Sequence, residues 1–383
     1  MSVTAPQGFR AAGVTVGLKD SRTPDVALVV NDGPLDAAAG VFTANRVKAA
    51  PVVWSQQVVA GGRVDAVVLN AGGANACTGP DGFADTHRTA EAVAAALGTG
   101  AARVAVCSTG LIGVRLPMDL LLPGVAKAAA ELSADGGPEA ADAIRTTDTV
   151  AKTAVVTGDG WTVGGMAKGA AMLAPALATM LAVVTTDAVA DSATLDAVLR
   201  AATAASFDRV DTDGCMSTND TVLLLASGAS GLTPDLADLQ AAVSGVCLSL
   251  ARQMVADAEG ASKEIAVEVV GAASEADALE AARAVGRSNL LKCALHGNDP
   301  NWGRVLAAVG TTQAVFEPDR LDVAINGVQV CRSGAPGDDR DLVDLSGREV
   351  RIVVDLHAGD RTVTLWTSDL TAEYVHENSA YST

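Results

Sequence analysis

The sequence predicts an α+β protein built as a layered α/β sandwich with a smaller β-rich C-terminal subdomain. Apolar strand patterns and amphipathic helix patterns follow one another without regular βαβ alternation, which argues against a doubly wound parallel sheet. From residue 320 onward the pattern changes to alternating strands separated by turn residues. A chain of 383 residues is long enough for two domains and a large core.

The first half of the chain contains several buried strand and helix patterns. Short apolar runs predict strands at residues 25–30, 50–54, 65–69, 103–107 and 180–184. Alanine-rich stretches predict helices at residues 85–97 and 118–132, and a further short helix ahead of residues 146–149. Glycine-rich and threonine-rich turns separate these elements.

The second half begins with helices and ends with hairpin patterns. Residues 192–206 look helical, and Thr233-Pro234 is a suitable start for a long apolar-striped helix. A strand is expected at residues 265–270, followed by a helix that Ser274 and Asp277 would cap. Asn326-Gly327 predicts a type I′ hairpin, and residues 350–366 are expected to form a second strand pair.

Composition excludes several classes of function. The net charge is −18, with 45 acidic and 27 basic residues, and so large an acidic excess argues against a nucleic-acid partner. The sequence has no G-x-G-x-x-G, P-loop or G-x-S-x-G motif and no Cys/His cluster, so neither a nucleotide cofactor nor a metal is expected. The apolar runs are shorter than the roughly 18–20 residues that a membrane span needs, and no secretory signal is visible. A soluble, cytoplasmic protein is therefore expected.

The peptide bond between Ala178 and Thr179 is the first candidate for chemistry. Small residues precede it, and the apolar strand pattern follows directly. A threonine at the start of a buried strand is usually a simple β-former. If the bond is cut, however, Thr179 gains an α-amine whose pKa of about 7.7–8.0 suits a base for its own hydroxyl.

Three further positions could act with such a nucleophile. Thr109 and Gly110, in an S-T-G turn after a strand, could offer donors to a developing oxyanion. Lys168 could hold a substrate carboxylate, and Glu259 lies where the long helix gives way to glycine. Taken singly, each is more often a loop or surface residue. Residues 296–304, which include His296, are interpreted as a tight loop that supports a site, since a metal there would lack further ligands.

Taken in order, these segments resemble the ornithine acetyltransferase family of arginine biosynthesis, also called the bifunctional glutamate N-acetyltransferase family. The resemblance extends over nearly the whole chain, in VFTANRVKAAPV (41–52), NAGGANACTG (70–79), STGLIG (108–113), TTDT (146–149), GGMAKGAAMLAPALATML (164–181), DTDGCMSTNDT (211–221), DAEGASK (257–263), KCALHGNDPNWGR (292–304) and ENSAYST (377–383). Ala171 and Ala258 stand where relatives commonly have glycine.

The resemblance implies an N-terminal-nucleophile-like fold and self-cleavage between Ala178 and Thr179. The products would be an α fragment, residues 1–178, and a β fragment, residues 179–383, the latter with a C-terminal subdomain from about residue 287. Two copies of each fragment would assemble into a heterotetramer.

The resemblance also assigns roles to individual residues. Thr179 would be the nucleophile, Thr109 and Gly110 the oxyanion-stabilising pair, and Glu259 a carboxylate that assists proton transfer. Substrate contacts would come from Thr146, Lys168, Thr179, Glu259, Asn378 and the terminal Thr383.

The implied activity is transfer of an acetyl group from N-acetylornithine to glutamate through an acetyl-Thr179 intermediate, in a ping-pong reaction. The exchange requires no metal or nucleotide cofactor, and acetyl-CoA is a possible second donor. Two alternatives remain open at this point. One is an N-terminal-nucleophile amidase or aminopeptidase that gives the acyl group to water, and the other is an unprocessed, inactive binding protein.

Overall fold

The computed structural model describes residues 2–174 and 180–380. These residues form two compact units, the first comprising residues 2–208 and 215–254 and the second residues 209–214 and 255–380. Each unit mixes helices with sheets, so the predicted α+β class is confirmed. The predicted cleavage fragments and the subdomain boundary near residue 287 remain predictions.

The first unit contains two sheets. Its strands are β1 (Phe9–Val14), β2 (Val26–Asn31), β3 (Ala37–Phe42), β4 (Ala66–Ala71), β5 (Val104–Thr109), β6 (Lys152–Thr157), β7 (Thr162–Lys168), β8 (Leu181–Thr186) and β9 (Thr221–Ala226). One sheet has the order β1-β2-β4-β5, with β4 and β5 parallel. The other has the order β3-β9-β8-β7-β6, with β8 and β9 parallel and its other pairs antiparallel.

Six helices pack on these sheets. They are α1 (Ala50–Val59), α2 (Gly79–Leu97), α3 (Met118–Ala130), α4 (Gly137–Ala143), α5 (Ser192–Ala204) and α6 (Leu236–Ala256), whose last two residues belong to the second unit. Proline occupies the first turn of α1, α2 and α4, where its missing N–H costs no helical hydrogen bond. Asp191 caps α5 by accepting the N–H of Thr194.

The predicted strand at residues 50–54 is wrong, because this segment is the first half of α1. A short apolar run does not distinguish a buried strand from a buried helix, and Pro51 in the first turn favours the helix. The predicted start of the long helix at Thr233-Pro234 is also wrong, since α6 begins at Leu236.

The core of the first unit joins both sheets. One cluster of buried side chains includes Val67 and Leu69 of β4 together with Leu181 and Val183 of β8. On β7, a Cβ added to Gly165 would lie 2.8 Å from Val246 of α6, so glycine allows this helix to lie close against the strand. Among the described residues, α6 alone is long and apolar enough to cross a membrane, but 50% of its most apolar window is buried, as in a core helix.

The second unit is built on one six-stranded sheet. Its elements are β10 (Glu264–Ala272), α7 (Glu275–Gly286), α8 (Asn289–His296), α9 (Trp302–Val309), β11 (Asp322–Ile325), β12 (Val328–Arg332), β13 (Ala335–Pro336), β14 (Glu349–Asp355), β15 (Arg361–Ser368) and α10 (Ala372–Ala380). The strand order is β13-β12-β11-β14-β10-β15.

Two local predictions in this unit are confirmed and one is wrong. Ser274 caps α7 by accepting the N–H of Asp277, and Asn326 and Gly327 have positive φ angles of 46° and 85°, as a type I′ turn requires. The pairing of β14 with β15 was predicted wrongly. Strand β10 lies between them, parallel to β14 and antiparallel to β15, because an earlier apolar strand fills the centre of the sheet.

Candidate active site

Thr109 and Gly110 lie at the end of β5, where the chain turns sharply. The Thr109 carbonyl accepts the N–H groups of both Gly72 and Gly73 at 3.0 Å. Gly110 has a φ of +131°, and a Cβ at this position would lie 2.5 Å from the Gly73 nitrogen. Glycine is therefore required at residue 110. The backbone of Gly72 and Gly73 holds the turn that carries the predicted oxyanion pair.

Lys168, the last residue of β7, reaches the same place. It is 2% exposed, and its Nζ donates to Thr109 Oγ1 at 3.2 Å. The structure thus brings together two of the predicted site residues that are 59 positions apart in the sequence. A buried ammonium beside a strand-end hydroxyl provides positive charge for an anionic group in a place with little water.

Asp148 connects Lys168 to a second buried lysine and to Thr146. Its carboxylate accepts Lys152 Nζ at 2.6 Å, the N–H of Gly169 at 2.7 Å and the N–H of Thr146 at 3.1 Å. The side chains of Lys152 and Asp148 are fully buried. The predicted contact residue Thr146 therefore belongs to the same polar network as Lys168.

The charge state of Asp148 follows from this network. Burial on its own raises the pKa of Asp148, but Lys168, Lys152 and the Gly169 N–H together outweigh it and lower the pKa to about 2. The carboxylate is therefore ionised at neutral pH and holds both lysines in place.

The same unit places a second buried aspartate at the start of β8. Met180 follows Thr179 in the chain, and its N–H donates to Asp220 Oδ1 at 3.1 Å. Burial raises the pKa of Asp220 well above its usual range. The pKa values of Asp148 and Asp220 are therefore shifted in opposite directions although both residues are buried.

In the second unit, two other predicted residues meet. Glu259 lies in the turn after α6, and its Oε2 accepts Asn378 Nδ2 of α10 at 2.8 Å. The turn is fixed by Gly260, which has a φ of +61° and whose carbonyl accepts Thr371 Oγ1 at 2.7 Å. The C-terminal segment that would pass for a frayed tail is thus partly helical and linked to Glu259.

His296 belongs to a hydrogen-bonded cluster in the second unit. Its Nδ1 lies 3.0 Å from Asp369 Oδ2 and 3.2 Å from Ser262 Oγ, and Ser262 Oγ also donates to Asp369 Oδ2. Serine and histidine share one carboxylate oxygen, so the imidazole does not bridge serine and aspartate through its two nitrogens as a catalytic triad requires. Asp369 also accepts the N–H groups of Ser262 and Lys263, both at 2.9 Å, and thereby fixes the segment that follows Glu259.

Three of the predicted residues, Ala178, Thr179 and Thr383, lie outside the described residues. Sequence reasoning also overlooked three aspartates, Asp148, Asp220 and Asp369. Two of them lie within the threonine-rich segments 146–149 and 211–221, where a single acidic residue is typical of a turn. One sequence signal could have identified these two aspartates. Each of their turns lies next to a buried strand, and a carboxylate in such a place has little access to water.

Comparisons with known proteins identify the family of the chain. The sequence profile of the ArgJ family matches residues 10–383. The arginine biosynthesis bifunctional protein ArgJ of Streptomyces coelicolor is 68% identical over 382 residues, which cover 100% of both chains.

Two solved structures are also similar. Ornithine acetyltransferase from Mycobacterium tuberculosis, solved with ornithine, is 63% identical with a TM-score of 0.45, and the match covers 47% of this chain and 96% of that chain. Arginine biosynthesis bifunctional protein argJ from Bacillus halodurans is 38% identical with a TM-score of 0.50, and the match covers 52% of this chain and 98% of that chain. The chain belongs to the ArgJ family, and the family predicted from the sequence is confirmed.

Replacing the buried carboxylate should destabilise the protein strongly. We expect Asp148→Asn to lower the free energy of unfolding by about 3–5 kcal/mol, because Lys152 is left buried without its counter-ion. Asp196→Asn is the matched control, since its 2.8 Å pair with Arg200 is exposed and such pairs contribute about 0.2–1 kcal/mol. Urea unfolding of both variants tests this, and equal small losses would contradict it.

The same network predicts a pH dependence of stability. The pKa of Asp148 falls from 3.8 to about 2 on folding, so its stabilising contribution is complete above the higher value and is lost as the pH falls through the lower one. The difference in the free energy of unfolding between wild type and Asp148→Asn should therefore become smaller as the pH falls from 3.8 to about 2.

Proposed function

We propose that this protein is a self-cleaving acetyltransferase of arginine biosynthesis that moves acetyl from N-acetylornithine to glutamate. The observation that carries the proposal is the contact between Lys168 Nζ and Thr109 Oγ1. Lys168 is also the register partner of Leu181, the first residue of β8, two positions after Thr179. Lys168 could thus bind a substrate carboxylate beside the turn at Thr109 that would stabilise an oxyanion. The strand that follows Thr179 begins at the same end of the first unit.

Self-cleavage would begin with attack of Thr179 Oγ on the Ala178 carbonyl carbon. The C–N bond breaks as the acyl group moves to oxygen, and the nitrogen becomes the α-amine of Thr179. Water then hydrolyses the ester, which frees the Ala178 carboxylate and restores the Thr179 hydroxyl.

Two observations bear on the cleavage. The matched chain of the Bacillus halodurans structure corresponds to 52% of this chain, a share close to that of residues 179–383. In addition, β7 precedes the proposed cut and β8 follows it, and the two strands pair along their length from Lys168–Leu181 to Val163–Thr186. The cut fragments would therefore remain side by side in one sheet.

In the first half-reaction, Thr179 Oγ attacks the acetyl carbonyl of N-acetylornithine while the Thr179 amine takes the hydroxyl proton. Donors of Thr109 and Gly110 would stabilise the oxyanion, a contribution of about 2.7–4 kcal/mol for one such donor. The C–N bond then breaks, the amine returns the proton to the leaving nitrogen, and ornithine departs. Acetyl-Thr179 remains as an ester.

In the second half-reaction, the deprotonated α-amine of glutamate attacks the carbonyl carbon of this ester. The C–O bond to Thr179 breaks, Thr179 Oγ takes up the proton that the attacking amine loses, and N-acetylglutamate leaves. Both amino acids must fit one pocket, so the groups they share are the parts to be held. Lys168 would bind the α-carboxylate and Glu259 the α-amine, with further contacts from Thr146, Asn378 and Thr383.

The reaction needs no bound cofactor, although acetyl-CoA could serve as a second donor to glutamate. We further propose that two α and two β fragments assemble into a heterotetramer and that the enzyme works in the cytoplasm. The acidic surface, with a net charge of −18, suits small-molecule substrates better than nucleic acid.

The fate of the acetyl group separates transfer from hydrolysis. With acetyl-labelled N-acetylornithine and glutamate, we expect the label on N-acetylglutamate and a ping-pong kinetic pattern. Label released chiefly as acetate would identify an amidase instead. Repeating the assay with labelled acetyl-CoA shows whether the enzyme accepts both donors.

Thr179→Ala should remain a single chain and should be inactive in both half-reactions. It lacks the hydroxyl that attacks in each step. Intact-mass measurement and N-terminal sequencing test this, with Thr179→Ser, which keeps a hydroxyl, as the matched control. A second chain starting at residue 179 in the alanine variant would remove Thr179 from the mechanism.

Glu259→Gln should be cleaved normally but should transfer acetyl slowly. Loss of a proton-transfer group lowers kcat/KM by roughly 100-fold or more. Glu268→Gln is the control in the same unit, because Glu268 pairs with Arg351 at 2.9 Å away from the turn at residue 259. Unchanged turnover in Glu259→Gln would show that this carboxylate is dispensable.

A further inference from the structure

Two adjacent residues, Asn219 and Asp220, contact the segments that carry the proposed oxyanion pair and the proposed nucleophile. Asn219 Nδ2 donates to the carbonyl of Ser108, the residue before Thr109, at 2.8 Å. It also donates to the Ala74 carbonyl at 2.6 Å. The next side chain, Asp220, accepts the N–H of Met180, the residue after Thr179, at 3.1 Å.

The backbone around these two residues is held on both sides. The N–H of Thr43 donates to the Asp220 carbonyl at 2.9 Å, and the N–H of Thr221 donates to the Met180 carbonyl at 3.1 Å. Thr221 then begins β9, which runs parallel to β8. Asn219 is 4% exposed and Asp220 is 0% exposed, so neither side chain can turn toward solvent without opening the sheet edge.

Stability alone does not explain an aspartic acid here. Among the described residues, Asp220 Oδ2 is buried without a hydrogen-bond partner. A buried polar atom without a partner destabilises a fold, so this oxygen of Asp220 works against stability. Burial raises the pKa of Asp220 well above its usual range, although hydrogen bonds from the Met180 N–H, Ser217 and Thr43 act in the other direction. Among these contacts, the one with the Met180 N–H is made to the segment next to Thr179.

We propose that Asp220, together with Asn219, is a positioning residue that sets the nucleophile against the oxyanion pair. This inference rests on the proposed function. The Met180 nitrogen is bonded to the carbonyl carbon of Thr179, so fixing that N–H fixes the direction in which the chain leaves β8 toward Thr179. The adjacent Asn219 fixes the peptide unit before Thr109. Two neighbouring side chains therefore hold the peptide unit before Thr109 and the residue after Thr179.

The test compares variants of the full-length chain that keep or lose the acceptor. Asp220→Asn retains an acceptor oxygen, whereas Asp220→Ala and Asp220→Leu lose the acceptor, and leucine keeps most of the volume. The control is Asp187→Ala. Asp187 is 2% exposed and accepts the Thr162 N–H at 2.7 Å, but it follows the opposite end of β8, about 17 Å away at about 3.4 Å per residue.

The measurements are the rate at which a chain beginning at Thr179 appears after synthesis, the thermal midpoint, and kcat and KM of the cleaved fraction. Misplacement of a reacting group by about 1 Å costs roughly 100-fold, so we expect cleavage and kcat of the alanine and leucine variants to fall roughly 10- to 100-fold. KM should stay within about twofold, because the contact is not made to substrate. Asp220→Asn should restore both rates.

The outcomes are distinguishable. Wild-type cleavage and kcat in Asp220→Leu, or equal slowing in Asp187→Ala at the same loss of thermal midpoint, would overturn the positioning role and leave the acetyltransferase proposal intact. A wild-type chain that never yields a fragment beginning at Thr179 would instead defeat the proposed function on which the inference depends.

Discussion

The pairing of β8 between β7 and β9 is the constraint on which the proposed site depends. Leu181 lies opposite Lys168 on one side and opposite Thr221 on the other, so β7 ends where β8 and β9 begin, at one end of the sheet. A shift of one residue in either pairing would turn every side chain to the other face of the sheet. The buried residues of β8 forbid such a shift, because both of its faces are covered. Core packing thus fixes where the polar groups at this end of the sheet lie.

Burial at this end of the sheet also explains why its two lysines occur together with an aspartate. Lys152 and Lys168 are both almost completely buried, and an isolated buried ammonium is costly. Asp148 offsets that cost through its ion pair with Lys152 and its electrostatic interaction with Lys168. A lysine held in this way presents its charge in one direction, which is what recognition of a carboxylate requires. The free-energy cost of desolvating Lys168 falls on folding and not on binding, so substrate binding need not order this side chain.

Much of the fold could be predicted from local patterns, while the pairing of distant elements could not. The Ser274 cap and the Asn326-Gly327 turn depend on neighbouring residues only, and both were predicted correctly. The strand that separates β14 from β15 comes from far earlier in the chain, so no local signal could place it. Residues 50–54 were mistaken for a strand because five apolar residues fit either structure.

The same limit applies to the candidate site. Thr109, Lys168 and Glu259 were candidates from the residues themselves, and Asn378 came from the resemblance. Only the fold shows that they contact one another in pairs, Thr109 with Lys168 and Glu259 with Asn378. Asp148 and Asp220 were overlooked because an aspartate among threonines and serines matches an ordinary turn. Their importance comes from burial, and burial is decided by strands that lie far away in the sequence.

Two of the buried aspartates in the first unit have pKa values shifted in opposite directions. Lysines next to Asp148 lower its pKa, whereas burial raises the pKa of Asp220 in spite of the hydrogen bonds that it accepts from the Met180 N–H, Ser217 and Thr43. Environments that push two similar pKa values apart are typical of sites in which each group has one task. An ionised Asp220 would place negative charge next to Asn219, which holds the peptide unit ahead of Thr109, and would oppose an oxyanion there. The raised pKa of Asp220 favours its uncharged form, which accepts the Met180 N–H without that opposition.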